Sequence, residues 1–213
     1  TGDHDVVVLT HSAFTLIPMS AEYQKAAIDD ELSAMRAALG HAKNSRGASR
    51  TIKQIEQNIK QREAKIDTQV KSMRQDAKTP LTWEQMGVGA LIVDEAHMAK
   101  NLAFPTKVEG AAGGESARAR DLLWKTDWMR ANKGPGSVIF ATATPVSNRI
   151  GEMWVMQGFL DPGALQRLGM REFDAWAANF GRSITSVEVA PSGRGFRTTT
   201  RFSSFTNVPE LAQ

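Results

Sequence analysis

The sequence predicts an α/β fold in which a parallel sheet is interrupted by an inserted helical hairpin and followed by a β-hairpin. Three observations predict it. Short apolar runs rich in β-branched residues end in polar or turn residues at Val6-Val7-Val8-Leu9, Ala90-Leu91-Ile92-Val93 and Val138-Ile139-Phe140-Ala141. Residues 20–78 carry helix-forming sequence with two apolar seams. Near the end, alternating Val187 and Val189, a Pro-Ser-Gly-Arg-Gly turn at 191–195 and the run Phe196 to Phe202 spell two antiparallel strands.

Continuous apolar runs of this kind read as buried strands of a parallel sheet. Each leads into residues suited to chemistry: Thr10-His11-Ser12, then Asp94-Glu95-Ala96-His97, then Thr142-Ala143-Thr144-Pro145. In open α/β sheets, ligands gather at that C-terminal edge. Between the second and third runs, residues 115–133 mix Leu122, Leu123, Trp124, Trp128 and Met129 with Arg and Asp, as a crossover helix should, and Gly134-Pro135-Gly136 ends it.

The first seam of the insertion is Ile28, Leu32, Met35, Leu39, and the second is Ile52, Ile55, Ile59, Ile66, Met73 with Arg62 breaking one position. This spacing predicts two helices packed as a coiled-coil hairpin, with residues 40–50 as the turn. Residues 43–78 hold ten Lys and Arg against four acids, a net +6. Their cations, Lys53, Lys60, Arg62 and Lys71 among them, are candidates for neutralising nucleic-acid phosphates; equally, they suit a solvated coiled-coil face. After the third run a helix is predicted from Asn148 to Leu160, closed by Asp161-Pro162-Gly163. Another is predicted from Arg171 to Phe180 with Phe173, Trp176, Ala177 and Phe180 on one face. The tryptophans and Phe173 read as core, and His4 and His41 as surface loop residues.

Composition narrows the function classes. The 213 residues are 41% hydrophobic, enough for one sizeable core and an appendage. No apolar stretch reaches a membrane span, the N-terminal residues have no signal-peptide pattern, and no membrane partner is expected. With no cysteine there is neither a disulfide framework nor a thiolate metal site, and the four histidines are scattered. The net charge of +3 and pI near 9.3 permit contact with nucleic acid.

The densest chemical signal is Asp94-Glu95 at the end of an apolar strand. Hydrolysis of a nucleoside triphosphate needs one carboxylate to hold Mg²⁺, usually through water, and a second group to orient or deprotonate the attacking water. About 47 residues on, Thr142 and Thr144 flank Ala143. Two hydroxyls around a small residue can bond a neighbouring carboxylate or histidine and exchange partners. Taken alone, that segment is also what a strand end followed by a helix capped by Ser147 or Asn148 looks like.

Leu91 to His97 resembles motif II, and Ala141 to Asn148 motif III, of Swi/Snf-type superfamily-two helicases of the DEAH type. Leu9 to Phe14, Phe140 to Asn148, Phe173 to Ala177 and Arg201-Phe202 through Pro209-Glu210-Leu211 are similar, nearly end to end, to the large helicase and adenine-specific DNA methylase fusions of phages and plasmids. The resemblance implies a partial RecA-like helicase lobe 1 that uses ATP and Mg²⁺. It implies a hydrolytic site at Asp94, Glu95 and His97, with Asp94 holding the metal through water. Thr142, Ala143, Thr144, Ser147 and Asn148 would couple hydrolysis to movement, and Thr10 and His11 would contact the nucleic-acid backbone. Ala143 stands where many Swi/Snf-type members have glycine and where DEAD-box members have alanine.

No Gly-x-x-x-x-Gly-Lys-Ser/Thr loop occurs in the sequence. The expectation is therefore a piece of a longer ATP-dependent DNA helicase or translocase, inactive alone, whose phosphate loop and second lobe belong to the same protein. The expected organisation is a RecA-like lobe at 1–19 and 79–182, a helical hairpin at 20–78, and a β-hairpin and linker at 183–213. Double-stranded DNA is the expected partner and the bacterial cytoplasm the expected location. The alternative is a non-catalytic DNA-binding or interaction module in which the basic coiled coil matters and the acidic motif is vestigial.

Overall fold

The computed structural model describes residues 4–44, 56, 57, 59, 60, 63, 64, 81–106, 108, 110, 111, 114, 116–147, 149–189 and 195–211. They fall into two compact units, residues 1–91 with 127–137 and residues 92–126 with 138–213.

In the first unit, Val6 to Leu9 is not the buried strand its residues predict. Val6 is 79% and Val8 90% exposed, and no strand among the described residues pairs with them. An apolar β-branched run satisfies the local requirement for a strand, but a strand exists only through its partner's backbone groups. Thr10 instead caps a single helical turn, α1 (His11–Phe14), its hydroxyl accepting from the Ala13 amide at 3.2 Å. Phe14 meets Trp83 edge-on with ring centroids 5.2 Å apart, and the Trp83 amide donates to the Pro18 carbonyl at 2.8 Å.

Helix α2 (Ala21–Asn44) starts at Ser20, whose hydroxyl accepts from the Tyr23 amide at 3.2 Å while donating to Glu84 at 2.8 Å. The Ser20 amide also donates to Glu84. Ile28 and Leu32 of the predicted seam are buried. The helix continues through Gly40 and His41, where a turn and a loop are predicted. One interior glycine costs only about 1 kcal/mol relative to alanine, less than the packing of a buried seam returns. Two ion pairs of 2.8 Å, Arg36–Glu63 and Lys43–Glu56, join α2 to a returning helical segment on which Ile59 is buried. The pairs lie seven residues apart on both arms and in opposite sense, which makes the arms antiparallel. Ile52, Ile55, Ile66 and Met73 lie outside the described residues.

A polar cluster sits at the root of this hairpin. Burial, then the charges of Asp127 and Glu84, pushes the Tyr23 hydroxyl up to about 12. Burial likewise pushes Asp127 from 3.8 to about 6, against the pull of Arg130 at 3.7 Å. At Glu84 burial acts upward, but hydrogen bonds from its own amide, from Ser20 and from Thr82 outweigh it and leave the carboxyl below its ordinary value.

The second unit holds the site. Strands β1 (Leu91–Val93) and β2 (Val138–Phe140) form a two-stranded sheet. The Ala141 amide donates to the Val93 carbonyl at 2.9 Å, and the Ala96 amide to the Ala141 carbonyl at 3.0 Å. Ala141 thus bonds two different residues of the neighbouring segment, one before and one after the turn, rather than exchanging both bonds with a single residue as an antiparallel pair does. The crossover that parallel strands require runs through helix α3 (Ala117–Lys133). Within it, fully buried Lys125 is paired with Asp121 at 2.6 Å, and burial raises the Asp121 carboxyl despite that pairing. The strands are covered on one face only: Val93 is buried, whereas Ile92 and Ile139 are 69% and 53% exposed. The expectation of fully buried strands is corrected accordingly, since two paired strands have one packed layer among the described residues.

Behind β2, Phe140 meets Phe159 of α4 (Ile150–Leu160) with centroids 5.6 Å apart. Asp161 ends α4, and its carboxylate caps α5 (Pro162–Arg167) by accepting from the Ala164 amide at 2.8 Å. Thus Asp161-Pro162-Gly163 both closes one helix and opens the next. Phe173, Trp176, Ala177 and Phe180 of α6 (Phe173–Phe180) form the core with Val108, Ala111, Ile150, Leu165 and Leu211. Trp176 Nε1 donates to Gln157 at 2.6 Å and Trp154 Nε1 to the Met170 carbonyl at 3.0 Å, so the rings serve the interior rather than a stacking platform. Gly151 is required here: a Cβ would collide with the Ala111 carbonyl and the Phe104 ring. Strand β3 (Gly181–Val189) pairs antiparallel with β4 (Phe196–Phe205), with an irregularity between Arg182 and Ser183. Beyond it, α7 (Val208–Leu211) returns Leu211 to the core, where the sequence reads as a linker.

Candidate active site

The strand ends of β1 and β2 carry the two motifs into contact. After Val93 the chain turns sharply: the Glu95 amide donates to Asp94 Oδ1 at 2.9 Å, and Glu95 takes a left-handed backbone, φ 51° and ψ 44°. That conformation is one that residues other than glycine seldom adopt. A short 3-10 helix, Ala96–Ala99, follows, anchored by the bond from the Ala96 amide to Ala141. Asp94 and Glu95 are left exposed at the strand edge, while His97 is partly covered.

The turn brings Glu95 Oε2 to 3.0 Å from His97 Nδ1, and Thr142 Oγ1 lies 3.4 Å from the same nitrogen. Nδ1 thus faces a carboxylate that only accepts on one side and a hydroxyl that can donate or accept on the other. Thr142 Oγ1 also accepts from the Thr144 amide at 3.2 Å, which shapes the loop after β2. Glu95, His97 and Thr142 therefore form a continuous polar chain from the end of one strand to the end of the next. Such a chain can hold a carboxylate in one orientation and shift it when the threonine moves.

A second junction lies behind the first. Lys100, at the end of the 3-10 helix, donates to the Ser147 hydroxyl and is paired with Glu152 of α4 at 3.2 Å. Their side chains are 9% and 4% exposed. Glu152 Oε2 also accepts from the Ser147 amide at 2.8 Å. Ser147 does not cap α4, whose N-cap position is Arg149 and has no side-chain capping bond. Sequence reasoning passed over Lys100 and Glu152, although one signal was there. Glu152 is the lone carboxylate in Ile-Gly-Glu-Met-Trp-Val-Met-Gln-Gly-Phe-Leu, and a buried carboxylate demands a buried cation.

Of the other predicted site residues, Ala143 and Thr144 are exposed on the loop after β2, and Asn148 lies outside the described residues. Thr10 and His11 belong to the first unit. Lys60 is exposed on the returning arm, whereas Lys53, Arg62 and Lys71 lie outside the described residues. One cation of the basic segment, Lys43, is occupied by its pair with Glu56.

Among the described residues no group of three His, Asp or Glu could hold a metal ion by itself, and no helix is long and apolar enough to cross a membrane. No curated protein and no solved structure matches the chain. The family model described as "Probable helicase domain" matches residues 1–213, and the chain belongs to that family.

Proposed function

We propose that this chain is the central part of a RecA-like first lobe of an ATP-driven DNA helicase or translocase, with the phosphate loop and second lobe supplied by other segments of the same protein. The observation that carries the reading is the Glu95–His97–Thr142 polar chain across two parallel strand ends. Glu95 orients the attacking water and takes its proton, His97 holds the Glu95 carboxylate, and Thr142 links both to the second loop. Asp94 is the residue to hold Mg²⁺ through water. A hard oxygen donor at an exposed strand edge fits an ion that keeps most of its waters and needs only one or two carboxylates. When bound, the ion supplies positive charge that offsets charge on the phosphate oxygens.

The motif resemblance extends the reading to double-stranded DNA as the track, to a helicase–methylase protein of a phage or plasmid as the parent, and to the bacterial cytoplasm. ATP turnover by the intact protein, with and without double-stranded DNA, tests it. DNA-stimulated phosphate release is expected, abolished by Asp94→Asn, while the 213-residue chain alone releases none. An intact protein without stimulated turnover contradicts the proposal.

A further inference from the structure

We infer that the buried Lys100–Glu152 pair, with Ser147 bonded to both, forms a latch that sets the spacing of the two strand-end loops and thereby positions His97 against Thr142. The latch itself stands on geometry alone; its consequence for turnover rests on the motor reading above.

The two loops touch at two places of unequal strength. His97 Nδ1 and Thr142 Oγ1 are 3.4 Å apart and only partly covered, a separation at which a hydrogen bond fixes little. Three residues beyond His97 and five beyond Thr142, the Lys100 ammonium meets Glu152 at 3.2 Å with both side chains nearly out of solvent, and it also donates to the hydroxyl of exposed Ser147. Charge-assisted bonds in such surroundings are stronger than neutral ones and less screened. The latch is tied back to the site on both sides. The Lys100 amide donates to the His97 carbonyl at 3.4 Å, and the Ser147 amide donates to Glu152 at 2.8 Å. An apolar pair of the same volume would often stabilise as well or better. A directional pair is suited instead to holding one spacing, so Lys100 and Glu152 act as positioning residues.

The test combines amide exchange on the 213-residue chain with turnover of the intact protein. Lys100→Met is expected to speed exchange about tenfold or more at Ser147 and also at Ala96 and Ala141, whose bonds join the strand ends. Glu152→Gln keeps an acceptor for the Ser147 amide and should show a smaller effect at the same positions. Lys100→Met combined with Glu152→Met removes both charges and should regain thermal stability without regaining exchange protection. In the intact protein Lys100→Met should keep basal turnover within about threefold and lose the DNA-stimulated increment, with Lys100→Arg restoring part of it. Acceleration confined to Ser147, or a double variant with wild-type protection and stimulation, overturns the latch. If the wild-type intact protein shows no stimulated turnover the motor reading falls, and the exchange pattern still decides the latch.

Discussion

The Glu95 carboxylate lies 3.0 Å from Nδ1 of His97, two residues further on, because Glu95 holds a left-handed backbone between β1 and the 3-10 helix. For an L-residue with a side chain that conformation costs roughly 1–2 kcal/mol. Glu95→Gly relieves the cost and Glu95→Ala retains it. In denaturant titrations of the 213-residue chain, the glycine variant should be the more stable of the two by about 1 kcal/mol. Equal stability would mean that the backbone is not strained there.

Asp127 makes stability depend on pH in an unusual direction. Its carboxyl is raised from 3.8 to about 6 in the fold, so between those values the folded chain binds the proton more readily than the unfolded one. Its contribution therefore falls as pH rises from about 4 to about 6 and stays low above. Asp127→Asn, which mimics the protonated carboxyl near Tyr23 and Arg130, should be more stable than wild type at pH 7, with the gap closing toward pH 4. The difference between the two pH profiles isolates this group from Glu84, whose lowered value acts in the opposite direction at lower pH. Parallel profiles would remove Asp127 from the account.

The hairpin register is open to charge exchange. Arg36→Glu should lose no more than about 1 kcal/mol, since both partners of its pair with Glu63 are largely exposed. Adding Glu63→Arg should restore most of the loss. A double variant no better than the sum of its parts would place the arms in another register.

Nucleic-acid binding by the same segment is expected to be weak and indifferent to sequence. Replacing Lys53, Lys60, Arg62 and Lys71 by glutamine should lower affinity alike for unrelated duplexes. It should also flatten the log–log salt dependence by about 0.9 for each phosphate that is no longer neutralised. Unchanged affinity and slope in a variant that remains helical would leave the hairpin a solvated spacer.

What could be read in the sequence depended on how local the cause was. The crossover helix, α6 and the β3–β4 hairpin follow from periodicity and turn residues within their own segments, and they stand within a few residues of expectation. Val6 to Leu9 has the same local pattern as Ala90 to Val93, yet only the latter has a partner strand, and pairing is written nowhere in the run itself. The approach of His97 to Thr142 was legible as two motifs at two strand ends, but the Lys100–Glu152 pair was not. Its members lie on different loops and helices, 52 residues apart, and acquire meaning only when buried together. Of the turn expected at 40–50, residues 40–44 are instead the end of α2, since a single glycine does not break a helix whose seam is packed, and residues 45–50 lie outside the described residues.

The measurement closest to the central claim is ATP turnover and nucleotide binding by the intact protein carrying Glu95→Gln. Glutamine keeps the size of the side chain and an acceptor, but cannot take a proton from water. The account predicts that DNA-stimulated turnover falls by at least about a hundredfold while nucleotide affinity changes less than about threefold. Turnover near the wild-type rate, or parallel loss of turnover and binding, would contradict the role given to Glu95 and with it the reading of the strand-end site.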